Sequence, residues 1–185
     1  MSDNRSTLNR DHLRKRIDNE TRSRVASRVR TDPGIHFNEL VRTLDLAPGQ
    51  VQYHTRKLVS REILVEAPLY GKTHYFPPEY DGWERQAIAL LRRETAADIV
   101  ACLMEDGPLS PVAVTERIGI ARSTLSWHVD RLVAANIVEK QRDETHLLVL
   151  VYPERTARLV READPSLSAR LVDRFTRLVD NLLAE

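Results

Sequence analysis

Cysteine occurs once in the 185 residues, at Cys102, which excludes an internal disulfide and a paired-cysteine metal clip. Its neighbours Val100, Ala101 and Leu103 are apolar, so the thiol reads as a packing residue and not as a redox sensor. No apolar run approaches the roughly 18 residues of a membrane span. Met1 to Arg16 is polar with interleaved charges and lacks the continuous apolar stretch of a secretory signal. The expectation is a cytoplasmic protein with no membrane contact. Net charge is nearly absent too, at +1, and lysine is scarce: it stands only at positions 15, 57, 72 and 140, so arginine supplies the rest of the 28 basic residues. An arginine bias suits phosphate and base recognition, although GC-rich genomes produce it without any such function.

What is present is unevenly spread. Up to Tyr80 there are 14 Lys+Arg against 10 Asp+Glu, a net +4, and beyond it 14 against 17, a net −3. The first part is the better candidate for meeting a polyanion. With 42% apolar residues the chain has material for a core, and a length of 185 residues accommodates two small domains.

A repeat decides for two. At an offset of 74 positions the segment Tyr53 to Leu64, YHTRKLVSREIL, overlays Trp127 to Val138, WHVDRLVAANIV. Tyr53 matches Trp127, His54 matches His128, Lys57 matches Arg131, Leu58 matches Leu132, Val59 matches Val133 and Ile63 matches Ile137. Upstream, Leu40, Leu44, Leu46 and Ala47 fall on Val114, Ile118, Ile120 and Ala121. Two copies at this period indicate a duplicated small domain, because solenoid repeats are shorter and more numerous.

Each copy reads as a helix, a break, a short helix, a tight turn, a longer helix and two β-rich runs. In the first copy Asp32-Pro33-Gly34 ends the opening helix, and Phe37, Leu40, Val41 and Leu44 share one face of the next. Leu46 to Gly49 turns the chain, with Pro48 suited to the first turn of a helix that buries Val51, Thr55, Leu58 and Val59. Ile63-Leu64-Val65 and Thr73 to Phe76 are expected as strands around Tyr70-Gly71-Lys72. The second copy has a stop at Asp106-Gly107-Pro108, a helix from Ser110 to Ile118 and a turn at Gly119-Ile120-Ala121. Its long helix turns Leu125, Val129, Leu132 and Val133 inward, and Ile137-Val138 and Leu147 to Tyr152 flank Arg142-Asp143-Glu144. The fold class is therefore mainly α with small β-hairpin wings, as two tandem winged helix-turn-helix domains plus a C-terminal amphipathic helix. The expected division is a polar tail at 1–17, a first domain at 18–80, a helical linker at 81–94, a second domain at 95–153 and a C-terminal dimerisation segment at 154–185. From Trp83 the linker is expected to continue as one helix towards Glu105.

The pattern over about residues 20 to 153 resembles the ArsR/MarR-like tandem winged-helix regulators found in archaea, notably haloarchaea. Its most specific piece is Ala121-Arg122-Ser123-Thr124-Leu125-Ser126-Trp127-His128-Val129-Asp130-Arg131-Leu132, which looks like the recognition helix of such a family. The resemblance implies a double-stranded DNA-binding transcription regulator.

In a helix-turn-helix the third helix enters the major groove. Its outward residues in the first copy are Gln50, Gln52, Tyr53, Arg56 and Lys57, whose amides and cations match adenine edges, guanine edges and phosphates. The second copy offers Arg122, Ser123, Thr124, Trp127 and Arg131, with Asp130 in place of Arg56. The first wing carries Lys72 and His74, and the second sets Arg142 against Asp143 and Glu144. The first copy is thus expected to make the stronger contact. Simpler roles stand beside these. Tyr53 and Trp127 are also suited to covering the core edge, His54 and His128 read as packing residues and not metal ligands, and Arg14-Lys15-Arg16 reads as a solvated tail.

From Ser166 to Glu185, Leu167, Leu171, Phe175, Leu178 and Leu182 recur at coiled-coil spacing, which makes Leu171, Phe175, Leu178 and Leu182 the expected contacts of a homodimer. No cofactor or metal is expected, since Tyr70-Gly71-Lys72-Thr73 lacks the first glycine of a phosphate-binding loop. No enzyme is expected either, because Ser123, His128 and Asp130 lie on one helix and suit base contact better than catalysis. The competing reading is a tandem winged-helix protein-interaction module of the chromosome-segregation or polymerase-associated kind.

Overall fold

A computed structural model of the chain describes residues 3–142 and 146–163. It contains two compact units, Met1–Tyr80 and Asp81–Glu185.

The first unit opens with α1, Asp3–Thr31. Neither proline nor glycine interrupts it, and Asp32-Pro33-Gly34 stops it: Pro33 has no amide proton, and Gly34 takes a left-handed φ of 79° that side chains disfavour. The Gly34 amide donates to the Tyr75 carbonyl at 2.9 Å. That bond starts a two-residue strand, β1 (Ile35–His36), and with β2 (Val65–Leu69) and β3 (Lys72–Phe76) it forms an antiparallel sheet of order β1-β3-β2. Between β1 and β2 lie α2 (Phe37–Leu44) and α3 (Pro48–Val59). The His36 ring accepts from the Glu39 amide at 3.3 Å and caps α2, and the Gln50 side-chain carbonyl accepts from the Ala47 amide at 3.2 Å where α3 begins. Val25 and Val29 of α1, Leu40 and Leu44 of α2, Val51 and Leu58 of α3, and Tyr75 of β3 form one buried cluster. Each aliphatic side chain so buried contributes about 1.5–3 kcal/mol. The apolar stripe of α3 is consumed by this core, which leaves its polar side to solvent.

The second unit begins with α4 (Gly82–Leu91), capped reciprocally: the Asp81 carboxylate accepts from the Glu84 amide at 2.8 Å and Glu84 from the Asp81 amide at 2.9 Å. Then follow α5 (Glu94–Asp106), α6 (Pro111–Ile118), α7 (Arg122–Ala134), the hairpin β4 (Val138–Arg142) and β5 (His146–Leu150), and α8 (Pro153–Ala163). The continuous helix expected from Trp83 towards Glu105 is not formed. Arg93 adopts an extended backbone (φ −96°, ψ 117°) and caps a new helix, which lets α4 and α5 pack as separate elements of one unit. Pro153–Ala163, assigned above to the dimerisation segment, is committed to its own chain: Thr156, Leu159 and Val160 are buried, and Arg155 and Arg158 reach the buried Glu84 carboxylate of α4. The dimer residues Leu171, Phe175, Leu178 and Leu182 lie outside the described residues.

The duplication reaches the backbone. Asp45 and Gly119, 74 positions apart, both end the second helix in the left-handed conformation (φ 51° and 70°). Glu62 and Asn136 are likewise paired (φ 57° and 54°) just after the third helix. In the first copy this turn keeps Ile63, expected in a strand, outside β2: its amide donates back to the Leu58 carbonyl at 3.0 Å and its side chain is exposed. Val133, expected to face inward, is also exposed, since Leu125, Val129 and Leu132 already fill the narrow inward stripe of α7. Cys102 is buried in α5, as its neighbours indicated.

Candidate nucleic-acid interface

In the first unit, Gln50, Gln52, Tyr53 and Arg56 are exposed along α3, with Lys57 half-buried beside them. These five side chains share a face because the inward positions are taken by Val51, Thr55 and Leu58. Arg56 makes no ion pair among the described residues. Lys57 is tethered to Tyr53, with its ammonium hydrogen-bonded to the phenol and 4.2 Å from the ring centroid. Tyr53 is 46% exposed, so it stands out from the surface and does not seal the core edge. Gln50 spends its carbonyl on capping α3, which leaves its amide protons for a partner.

Of the two residues expected to act from the wing, one is accessible. Lys72 is exposed at the hairpin end, where Tyr70-Gly71 turns the chain with both φ values positive (51° and 77°), and its ammonium is 3.2 Å from the His36 ring. His74 is a correction. It is only 4% exposed and its Nδ1 lies 2.6 Å from the Gly34 carbonyl, because β3 is the middle strand of the sheet and β1 covers it on one side. Alternation along a strand is a period-two signal, and from sequence the short β1 that turns β3 into a central strand was not visible. A cavity of about 420 Å³ lies between α2, α3 and the wing, and its walls include Asn38, Gln52, Arg56, Lys72 and Thr73.

On the corresponding face of α7 in the second unit, Asp130 and Arg131 are engaged by neighbouring side chains and, among the described residues, Arg122 is not. Arg122, Ser123 and Thr124 are exposed in the first turn, and Trp127 is 43% exposed. The Arg131 guanidinium lies 3.4 Å from the Trp127 ring centroid and donates to the Trp127 carbonyl at 3.1 Å. Asp130, which stands in place of Arg56 and was expected to suit base contact, accepts from Lys140 of β4 at 2.7 Å. That hydrogen bond and the lysine charge hold its carboxyl below the usual range. The sequence carries a signal for this pair: 74 positions earlier stand Arg56 and Glu66, with the same two signs exchanged. Arg142 closes β4 opposite His146, and its side chain is outside the described residues.

The two histidines occupy one structural slot. His54 is buried with Nε2 3.7 Å from Asp18 of α1, and burial lowers its pKa below 6.5 against the opposing pull of Asp18. His128 is lowered as well, by burial first and then by the charges of Arg93 and Arg131. Each ring meets the preceding aromatic edge-on, Tyr53 at 5.1 Å and Trp127 at 4.7 Å. Among the described residues no three His, Cys, Asp or Glu side chains come together as a metal site, and no helix is long and apolar enough to cross a membrane.

A family model described as an N-terminal HTH domain matches residues 19–88, and one described as a helix-turn-helix domain matches residues 90–141. No curated protein matches the chain. Among solved structures, the transcriptional regulator Tm0710 from Thermotoga maritima aligns at 20% identity over 55% of this chain and 82% of its own, with a TM-score of 0.36. RV1404 from Mycobacterium tuberculosis aligns at 17% identity over 72% and 76%, with a TM-score of 0.36. Overoxidized AbfR bound to DNA aligns at 12% identity over 54% and 83%, with a TM-score of 0.35. Overlaps this loose add nothing about function. The two family matches and the two helix-helix-wing units agree, and on them the chain carries two winged helix-turn-helix domains in tandem.

Proposed function

We propose that the protein is a sequence-specific regulator that docks α3 of its first domain in the major groove of a duplex operator and acts as a homodimer in the cytoplasm. The observation that carries this reading is the α3 face. Gln52 and Arg56 are exposed and able to pair adenine and guanine edges, and Lys57 and Lys72 flank them at phosphate-contacting positions. The second domain contributes through Arg122, Ser123 and Thr124 at the start of α7, with Trp127, Arg131 and Arg142 in supporting roles. Two copies of the chain read two half-sites, joined by the apolar repeat at Leu171, Phe175, Leu178 and Leu182.

The test is binding to fragments of genomic DNA across a salt series. Cation–phosphate contacts release condensed counterions, so affinity is expected to fall steeply as salt rises. The selected fragment is expected to bind two chains, and one after removal of residues 166–185. Absent or salt-independent binding favours the protein-interaction reading instead, and a truncated chain that still binds as a pair places the dimer contact elsewhere.

A further inference from the structure

The groove between the second helix, the third helix and the wing exists in both domains, and the two copies have diverged in chemistry. In the first domain it carries Asn38, Thr55 and Thr73 among its walls. The positions 74 residues later are Val112, Val129 and Leu147, and all three line the matching groove of about 610 Å³ in the second domain. Polar wall has become apolar wall at three equivalent places on the same backbone framework. Val112 is 42% exposed there, although it gains nothing by meeting water. The charged residues lining this groove are all basic or imidazole: Arg122, Lys140 and His146, with no Asp or Glu among the described walls. Lys140 is held by Asp130 at 2.7 Å, whereas Arg122 makes no ion pair among the described residues.

We propose that this groove is a binding site for a small amphipathic carboxylate, its hydrocarbon body against Val112, Val129 and Leu147 and its anionic head at Arg122, with the His146 imidazole as a further donor. The volume lies within the roughly 300–1,000 Å³ usual for small-molecule sites, and an apolar wall with a few polar groups at one edge is their usual chemistry. A nucleic acid is the poorer occupant, since phosphates and sugars leave the three apolar side chains unused. The site does not depend on the DNA-reading assignment, and its test contains no DNA, so the two fail separately.

The probe is decanoate below its micellar concentration, titrated calorimetrically into the full chain, with decyltrimethylammonium as the oppositely charged control. One saturable site per chain is expected for decanoate. The ammonium is expected to bind at least about tenfold more weakly, since it meets like charge at Arg122. Val112→Asp puts a carboxylate into the apolar wall at an exposed position and is expected to weaken decanoate by about tenfold or more. Arg122→Gln keeps the helix start and is expected to weaken decanoate by roughly fivefold while leaving the ammonium no weaker. Asn38→Asp, the matching change in the first domain, is expected to leave binding unaltered. Failure of decanoate to saturate, equal binding of the two amphiphiles, or wild-type affinity in Val112→Asp overturns the proposal.

Discussion

The exposed sides of α3 and α7 are built on one plan and differ in which charges they carry and in what holds those charges. On α3 the residue one turn beyond the first exposed glutamines is Arg56, with no ion pair among the described residues. On α7 the same position is Asp130, and Lys140 reaches from the wing to neutralise it at 2.7 Å. The next position carries a cation in both helices, and in both it leans on an aromatic side chain one turn earlier, Lys57 on Tyr53 and Arg131 on Trp127. Net charge alone therefore understates the contrast. A cation already satisfied by a carboxylate or a ring loses part of that interaction when it turns to phosphate, whereas Arg56 gives up only water. Duplicated helices thus keep the same packing while their outer faces take up different partners.

The largest effect expected from this contrast is in paired substitutions. Arg56→Ala with Lys57→Ala and Arg131→Ala with Arg142→Ala each remove two positive charges and so lose a similar counterion contribution. A direct base contact is worth roughly 1 to 3 kcal/mol, so the first pair is expected to bind operator at least about tenfold more weakly than the second at matched salt. Titrations after thermal melts have verified folding decide this. Equal or greater loss in the second pair makes α7 the principal reader and reverses the comparison.

A smaller and opposite effect is expected from Asp130→Arg. The substitution puts on α7 the residue that α3 has at this position, and it releases Lys140 from its ion pair. Affinity for DNA is expected to rise by about threefold or more, with the salt slope steeper by roughly one to two contacts. Both side chains are exposed, so the fold is not at stake. Unchanged affinity and slope mean that this part of α7 does not approach phosphate.

The smallest effect concerns the shared histidine slot. Both rings have pKa values lowered below 6.5, so the unfolded chain binds more protons than the folded chain as pH falls through that value. Stability from this source is fully present above about pH 6.5 and is lost progressively below it. Proton NMR titration is expected to place both midpoints below 6.5, and His54→Gln and His128→Gln are each expected to flatten the acid side of the melting profile. A midpoint above 6.5 for His54 means that Asp18 outweighs burial there.

Much of this architecture was legible before any coordinates. Helix faces follow from a 3.6-residue period, and Val51, Thr55 and Leu58, like Leu125, Val129 and Leu132, are inside because that spacing puts them on one side. Helix ends follow from residues whose backbone preferences are local, as at Pro33-Gly34 and Gly119. The duplication follows from identity at a fixed offset. Three things depended on residues far apart in the chain. His74 is buried because the brief strand at Ile35–His36 pairs with β3, and nothing near His74 in sequence announces a neighbour some forty residues back. The helix after Trp83 breaks at Arg92-Arg93 without proline or glycine, so that α4 can pack against α8. Asp130 is paired because the wing folds back over α7 and brings Lys140 to it. Periodicity and turn chemistry are properties of neighbouring residues, and from sequence alone they determined the order of helices and hairpins and the inward stripes of the third helices. Which charges on those faces remain free depends on contacts that exist only once the chain has closed on itself, and that was decided by the tertiary structure.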